Sequence, residues 1–306
     1  AWTTNDIGRY KVWIYDINKN KTRPILRYGY RLDDKTDLTF PILAWHPSSK
    51  ILSIILERKN KIYLYYYTLE TKKFNKIRLF DFEKILDFSY SDDGRLIVLS
   101  GVQNGQTDIF VFNPASQTYE QITKDLWDDI NPRFVSGSSE IIFCSNRIND
   151  TVIFQNDNFI AEQDKLPFSP YTDVFVYNYK TKNPVLRRLT QTAEANECYP
   201  STYNKNYFSY LSNENGIYNQ YLGRFDSTVA FIDTVIHYRY FSVTAPVTDF
   251  KRNIIEQDIN PKTGKVSYII FHNGKYKIYI DTIENVNTFK KIKLKESPAV
   301  KFKNEI

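Results

Sequence analysis

The sequence contains no methionine and only two cysteines among its 306 residues. Cys144 and Cys198 are too few for a disulfide framework, and no Cys-x-x-Cys or Cys/His cluster accompanies them, which excludes a zinc site of that type. The pair could form one bridge at most. The simpler interpretation is two buried or half-buried thiols on separate strands, because cysteine is among the most buried residue types.

No apolar run approaches the length of a membrane span, and no signal peptide stands at residue 1. The chain begins with Ala1 and lacks methionine, which is typical of a mature product or an excised segment. We therefore expect the chain to be part of a larger protein, from which an export signal could have been removed.

Motifs of nucleophilic, metal-dependent and nucleotide-dependent catalysis are also missing, including Gly-x-Ser-x-Gly, His-Glu-x-x-His and the Walker loop. The three histidines, His46, His237 and His272, are scattered along the chain, which argues against a nucleophilic triad. Adjacent aspartates such as Asp92 and Asp93 lack the spacing of a calcium-binding loop, so turn and capping roles are the simpler interpretation.

Aromatic residues are abundant, at 16% of the chain, with 24 tyrosines and 21 phenylalanines. Together with many isoleucines and valines, they favour half-buried β-strands and an all-β fold. The formal net charge is +6, but 41 basic and 35 acidic residues give a mixed surface. This balance does not identify a nucleic-acid-binding protein, and we expect no nucleic-acid partner.

One hairpin pattern recurs along the whole chain. Its fullest copy covers residues 106–123, and related copies begin near residues 10, 61, 172, 218 and 276. A second hairpin alternates with it, and its turns lie about 45, 44, 68 and 57 residues apart, which indicates a basic unit of about 45 residues. Four strands in such a unit are typical of one propeller blade. The sequence therefore predicts one all-β domain over 1–306, a six-bladed β-propeller of four-stranded antiparallel blades.

Closure of the ring is the weak point of this prediction. The first hairpin begins near residue 10, and residues 5–9 are typical of a turn, so the first blade is predicted to lack its first two strands. Two units are longer than the others. One contains an insertion at 148–170 between its second and third strands, and the other has extra residues at 231–248, at or after a fourth strand.

Several units share a longer motif. It reads Ser-Asp-Asp-Gly-Arg at 91–95, Asn-Gly-Gln-Thr-Asp-Ile-Phe-Val at 104–111 and Gln-Ile-Thr at 121–123, with further copies at 141–147, 188–190 and 207–216. This pattern resembles the WD40-like (PD40) repeat of the TolB family, and the resemblance covers nearly the whole chain. It implies a propeller of the bacterial envelope, in the periplasm or associated with the outer membrane, and a protein partner such as a lipoprotein or a peptidoglycan-associated protein. No α/β domain of the TolB type precedes the propeller in this sequence.

Acidic residues gather where a propeller would place one mouth of its channel. The connections from each outermost strand to the next innermost strand lie on one face, and in this chain they are rich in carboxylates. Phe159 and Phe168 of the insertion would supply an apolar wall on the same face, as protein-binding surfaces do. The residues expected to bind a partner are Asp37, Glu83, Trp127, Asp128, Asp129, Glu194, Glu197, Phe159 and Phe168.

The preferred hypothesis is a non-catalytic docking propeller without a cofactor, although an acidic mouth could also hold a structural cation. The alternative is a carbohydrate-binding or glycan-cleaving propeller, with Asp128 and Glu197 as the suspected acid and base. A third possibility is that these carboxylates only cap turns and stay solvated, while the insertion folds onto its own blade.

Overall fold

The computed structural model describes residues 1–306 except 7–8, 30–40, 60, 136, 153–168, 205, 233, 235, 284–291 and 305–306. Its strands form six separate antiparallel sheets, which are the six blades of the predicted propeller. Blade 1 contains β1 (Trp2–Asp6), β2 (Arg9–Asp16) and β3 (Lys21–Gly29), and blade 2 contains β4 (Ile42–Trp45), β5 (Ile51–Glu57), β6 (Ile62–Thr68) and β7 (Phe74–Leu79).

The next three blades have four strands each. Blade 3 contains β8 (Lys84–Tyr90), β9 (Ile97–Gln103), β10 (Gln106–Asn113) and β11 (Thr118–Gln121). Blade 4 contains β12 (Asp129–Phe134), β13 (Ile141–Ser145), β14 (Asp173–Asn178) and β15 (Asn183–Arg188). Blade 5 contains β16 (Glu197–Asn204), β17 (Tyr207–Ser212), β18 (Asn219–Ile232) and β19 (Ile236–Pro246).

Blade 6 contains β20 (Ile254–Asn260), β21 (Lys265–His272) and β22 (Lys275–Thr282), and a short helix, α1 (Pro298–Asn304), follows it. Among the described residues, no helix is long and apolar enough to cross a membrane.

The core consists of the seams between neighbouring blades. Five buried hydrophobic clusters join blade 1 to 2, 2 to 3, 3 to 4, 4 to 5 and 5 to 6. In the described part of the chain no such cluster joins blade 6 back to blade 1. The blade 6 side chains Phe271, Tyr276, Ile278 and Ile280 are instead 45–71% exposed, so this seam is open among the residues described.

The prediction for blade 1 was wrong by one strand. Residues 2–6 form β1, which pairs with β2 from Trp2 opposite Trp13 to Asp6 opposite Arg9. Trp and Thr are good strand formers, and the aromatic pair packs with ring centroids 6.3 Å apart. Blade 1 is therefore incomplete by one strand relative to the four-stranded blades, and blade 6 also has three strands among the described residues.

The extra residues predicted at 231–248 extend a hairpin. β18 and β19 pair from Tyr221 opposite Pro246 out to Ile232 opposite Ile236, whereas β17 pairs only with Asn219–Arg224. Because the outer half of this hairpin has no third strand beside it, two strands project beyond the blade.

Gly223 lies at a tight point of the blade 4 to blade 5 seam. It pairs with Phe208, which is fully buried, and a Cβ atom at position 223 would overlap the Phe208 ring. We expect Gly223→Ala to destabilise the protein by about 1–3 kcal/mol, since overpacking displaces buried side chains. Urea unfolding would measure this, with Ser227→Ala on the exposed part of β18 as control. A Gly223→Ala midpoint equal to that of the control would contradict the packing argument.

Candidate functional site

The connections between blades lie on one face, together with the turns that join each second strand to the third. Gln106, at such a turn, donates a hydrogen bond to the Trp127 carbonyl at 2.9 Å. The Asp128 amide donates to Asn146 at 2.9 Å, and the Asn196 amide donates to Asn213 at 2.6 Å. This is the arrangement that the blade topology predicted, and it places the acidic connections side by side.

Three of the predicted partner-binding residues are exposed on this face: Glu83, Asp128 and Glu194. Other exposed carboxylates accompany them. The exposed cations of this face, among the described residues, include Lys124, Lys251 and Arg252 in the connections and Arg58, Lys59 and Lys61 in the turn between β5 and β6. We call the exposed acidic set the acidic rim, which consists of Asp81, Glu83, Asp128, Glu194, Glu214 and Asp249.

Three other predicted residues are buried, which corrects the expectation that they lie on a partner-facing surface. Trp127 is 4% exposed, and Asp129 and Glu197 are 0% exposed. Asp129 and Glu197 are the first residues of β12 and β16, so their side chains enter the blade instead of the solvent. Trp127 packs against Arg147, whose guanidinium carbon lies 5.7 Å from the centroid of the Trp127 ring.

The other predicted residues, Asp37, Phe159 and Phe168, lie outside the described residues. The described start of the insertion folds onto its own blade. Val152 is buried in the blade 3 to blade 4 seam, and its amide donates to the Pro184 carbonyl at 2.7 Å. Asp150 pairs with Arg188 at 2.7 Å.

Arg147 is the centre of the buried network beneath the acidic rim. Its side chain is 0% exposed and lies 2.7 Å from Asp129 and 3.2 Å from Asp125. It also donates to Ser145 at 3.0 Å and to the Thr151 carbonyl at 3.0 Å. A buried guanidinium with this many acceptors is satisfied in both charge and geometry.

Asp108 completes the network as a third buried carboxylate. Oxygens of Asp108, Asp125 and Asp129 lie within 4.8 Å of one another. Burial, with the nearby Asp129 and Asp125 charges, raises the pKa of Asp108 to about 7. Burial also raises the pKa of Asp125. Carboxylates at this spacing could hold a cation, but Arg147 already neutralises two of them. The structural cation expected at the mouth therefore stays a prediction.

Blade 5 repeats this arrangement with the charges changed. Asp129 lies opposite Ser145 in blade 4, and Glu197 lies opposite Ser212 in blade 5, followed in both blades by the same strand irregularity. Two residues after these serines stand Arg147 and Glu214. In blade 5, Glu214 thus stands at the position that Arg147 has in blade 4, so Glu197 has an acidic neighbour where Asp129 has a basic one.

The aromatic residues change with the charge. In blade 4 the Arg147 guanidinium lies 5.6 Å from the Phe143 ring centroid and 5.8 Å from that of Phe175. The equivalent strand positions in blade 5, by register, are Tyr210 and Tyr221. The Tyr221 hydroxyl donates to Glu214 at 2.6 Å. In blade 4 the phenylalanine ring faces therefore lie against the Arg147 cation, and in blade 5 the Tyr221 hydroxyl hydrogen-bonds the Glu214 carboxylate.

Among the described residues, Glu197 consequently has no cationic partner. Its Oε1 accepts a hydrogen bond from Thr192 at 2.8 Å, while Oε2 has none from any described residue. Burial raises the pKa of Glu197 to about 8, and Asp173 and Glu214 add to the shift. Because Glu197 is fully buried and Asp128 is exposed, this pair is not arranged as the acid and base of a glycan-cleaving site.

The inner strands converge on the channel. Arg133 of β12 pairs with Asp87 of β8 at 2.7 Å, and Asn131 donates to Asp87 at 3.1 Å. Burial lowers the pKa of Arg133, but the paired Asp87 raises it above its ordinary value, and restricted hydration raises the pKa of Glu256 of β20. The inner strands of blades 3 and 4 are thus joined by an ion pair and a hydrogen bond.

Sequence reasoning missed Arg147 and Asp108 as members of a site. Both stand inside the repeated motif, in Ser-Asn-Arg at 145–147 and Thr-Asp-Ile-Phe at 107–110. Asp108 lies inside an otherwise apolar strand and Arg147 lies two residues after one. Charged residues in such places were the available signal, because charged residues are almost never fully buried unless they are paired.

Comparisons with known proteins agree with the fold. No protein-family model matches the sequence, and no curated protein matches it. TolB from Acinetobacter baumannii is similar in structure, with a TM-score of 0.61 and 14% identity over 90% of this chain and 57% of that chain. A putative TolB from Agrobacterium tumefaciens has a TM-score of 0.62 and 15% identity over 91% of this chain and 86% of that chain.

Oligogalacturonate lyase in complex with manganese also shares the architecture, with a TM-score of 0.50 and 11% identity over 90% of this chain and 83% of that chain. The chain spans 57% of the length of the A. baumannii protein. Identities this low show the fold alone, because one fold hosts unrelated functions. The TolB-like propeller that the motifs predicted is confirmed.

Proposed function

We propose that this chain is a non-catalytic docking propeller of a bacterial envelope complex, and that it binds a partner protein at the acidic rim. The observation that supports the proposal is the rim itself. Exposed carboxylates gather on one face of a chain whose net charge is +6. These exposed carboxylates pair with a basic surface and set its orientation.

The buried network beneath the rim supports a rigid platform. Arg147 holds Asp125 and Asp129 at the start of blade 4, and Thr172 of blade 4 accepts a hydrogen bond from the Glu197 amide at 3.1 Å at the start of blade 5. Exposed groups mounted on a fixed scaffold bind with less ordering entropy than groups on free loops.

The compartment and the kind of partner follow from the resemblance to TolB. It suggests a periplasmic or outer-membrane-associated protein whose partner is a lipoprotein or a peptidoglycan-associated protein. A basic surface on that partner would complement the rim. No cofactor is needed for this role.

The proposal predicts that reversing rim charges abolishes capture of a specific partner. The variant Asp128→Lys with Glu194→Lys changes two exposed rim residues, and Glu70→Lys with Asp281→Lys changes two exposed carboxylates elsewhere by the same charge. Affinity capture from solubilised envelope, read by mass spectrometry, would compare both variants with the native chain. We expect at least a tenfold loss of one envelope protein with the rim variant alone.

Equal retention by all three chains would show that the rim does not bind the partner. Purified partner, once identified, should bind more weakly as salt rises, since the interaction rests on exposed charges. Affinity that does not change between low and high salt would contradict docking at the rim.

A further inference from the structure

A second surface lies on the outer strands of blade 2 and ends at Phe80, next to Asp81 of the acidic rim. In β6 and β7, Tyr63 lies opposite Arg78 and Tyr65 lies opposite Lys76. Because residues opposite each other share one face of the sheet, rings and cations alternate on a single face. We call this set the aromatic-basic surface, and it consists of Tyr63, Tyr65, Phe74, Lys76, Arg78 and Phe80.

Ring faces orient the cations of this surface. The Lys76 ammonium lies 4.8 Å from the Tyr63 ring centroid and 6.0 Å from that of Tyr65. The Arg78 guanidinium lies 4.4 Å from the Phe80 ring centroid. Cation–π contacts of this kind leave the outer side of each cation open to an anion.

Blade 1 extends the same surface with Arg23. Its guanidinium donates to the Tyr67 hydroxyl at 2.8 Å and lies 5.7 Å from the Tyr67 ring centroid. Among the described residues, no carboxylate lies within ion-pair distance of Arg23, Lys76 or Arg78. In blade 4, by contrast, every arginine pairs with a carboxylate: Arg133, Arg147, Arg187 and Arg188.

Exposure shows that the surface is accessible. Lys76 and Arg78 are exposed, Phe74 is 37% exposed and Phe80 is 47% exposed. A strand of six residues such as β7 is about 20 Å long. The surface therefore presents an open strip of alternating rings and of cations that pair with no described carboxylate.

We propose that the aromatic-basic surface binds an anionic polysaccharide whose sugars carry carboxylates. The cations, which no described carboxylate pairs, complement the sugar carboxylates, and the exposed rings of Phe74 and Phe80 pack against the C–H groups of the sugars. A nucleic acid fits less well. Duplex DNA carries one charge per about 1.7 Å and requires a longer basic array. Single strands need a series of free ring faces on which successive bases stack, and Lys76 lies over two of the rings, Tyr63 and Tyr65.

The probe for this proposal is polygalacturonic acid, titrated into the full chain by calorimetry at low and high salt. The variant Lys76→Glu with Arg78→Glu removes two surface cations. Its matched control, Lys180→Glu with Lys265→Glu, makes the same charge change at exposed positions of blades 4 and 6. We expect at least a tenfold weaker affinity for the first variant and less than a twofold change for the control.

Phe80→Ser tests the aromatic component, since it removes an exposed ring without changing the charge, and we expect about a threefold loss. Circular dichroism would verify that each variant is folded. No binding of polygalacturonic acid, equal losses in both charge variants, or equal binding of neutral dextran would overturn the proposal. Tighter binding of a single-stranded thymidine oligonucleotide would overturn it in favour of nucleic acid. The rim variant should bind the polysaccharide normally, which separates this surface from the docking face.

Discussion

Arg147→Met is expected to destabilise the propeller by about 3–5 kcal/mol at pH 7, because removing one partner of a buried ion pair leaves uncompensated charge. Methionine keeps much of the length and the apolar contacts of arginine against Phe143, Phe175 and Trp127. The loss therefore comes mainly from Asp125 and Asp129, which would have no guanidinium to neutralise them. Urea unfolding followed by tryptophan fluorescence would measure it.

The pH dependence of this variant identifies the cause. A carboxylate without its cation binds a proton more readily in the buried state, so the destabilisation should shrink from pH 7 to pH 5. A loss due only to packing would stay constant over that range. The second change Asp129→Asn, introduced into Arg147→Met, should recover part of the stability at pH 7 because it removes one unpaired charge.

The control for this prediction is Arg95→Met. The Arg95 side chain is 86% exposed and lies 3.7 Å from Asp93, so we expect a change of less than about 1 kcal/mol. An Arg147→Met variant within about 1 kcal/mol of the native protein would show that the network is not a main source of stability.

The blade architecture was predictable because each blade is encoded locally. Strands of alternating apolar residues and short turns recur along the chain, and each repeat needs only its neighbours to bury its faces. The same locality explains the failure at β1. A lone strand before the first hairpin has no repeat of its own to identify it, and residues 5–9 were interpreted as a turn.

The candidate site was harder to predict, because burial depends on partners distant in sequence. Connections between strands usually run over the surface, so Trp127 and Asp129 were expected to be exposed. Their burial depends on Arg147, which stands 18 residues after Asp129 and meets it only across two paired strands. Glu83, Asp128 and Glu194 are exposed, as expected.

The comparison of blades 4 and 5 adds a physical lesson. A motif position in a repeat protein fixes where a side chain lies, but the chemistry there depends on which groups change together. Arg147 accompanies two phenylalanines in blade 4, and Glu214 accompanies two tyrosines in blade 5. The resulting difference in the environment of Asp129 and Glu197 can be measured.

Glu197→Gln is expected to make the protein more stable at alkaline pH and to flatten the dependence of its stability on pH. The folded-state pKa of Glu197 is about 8, above its ordinary value of 4.5. The folded state therefore binds this proton more tightly than the unfolded state, so stability falls as pH rises from about 4.5 to about 8. Glutamine has the same shape and does not titrate. We expect the advantage of the variant to grow by on the order of 3 kcal/mol between pH 5 and pH 8.

Unfolding midpoints measured at several pH values would test this, with Glu83→Gln as the matched control at an exposed position. The control should follow the native curve, since exposed carboxylates have similar surroundings in both states. Glu214→Arg provides the opposite test, because it places in blade 5 the cation that blade 4 has. It should lower the folded-state pKa of Glu197, so the loss of stability with rising pH should become smaller and end at a lower pH. A Glu197→Gln curve parallel to the native one would mean that Glu197 is ionised in the folded protein and that an unidentified group compensates its charge.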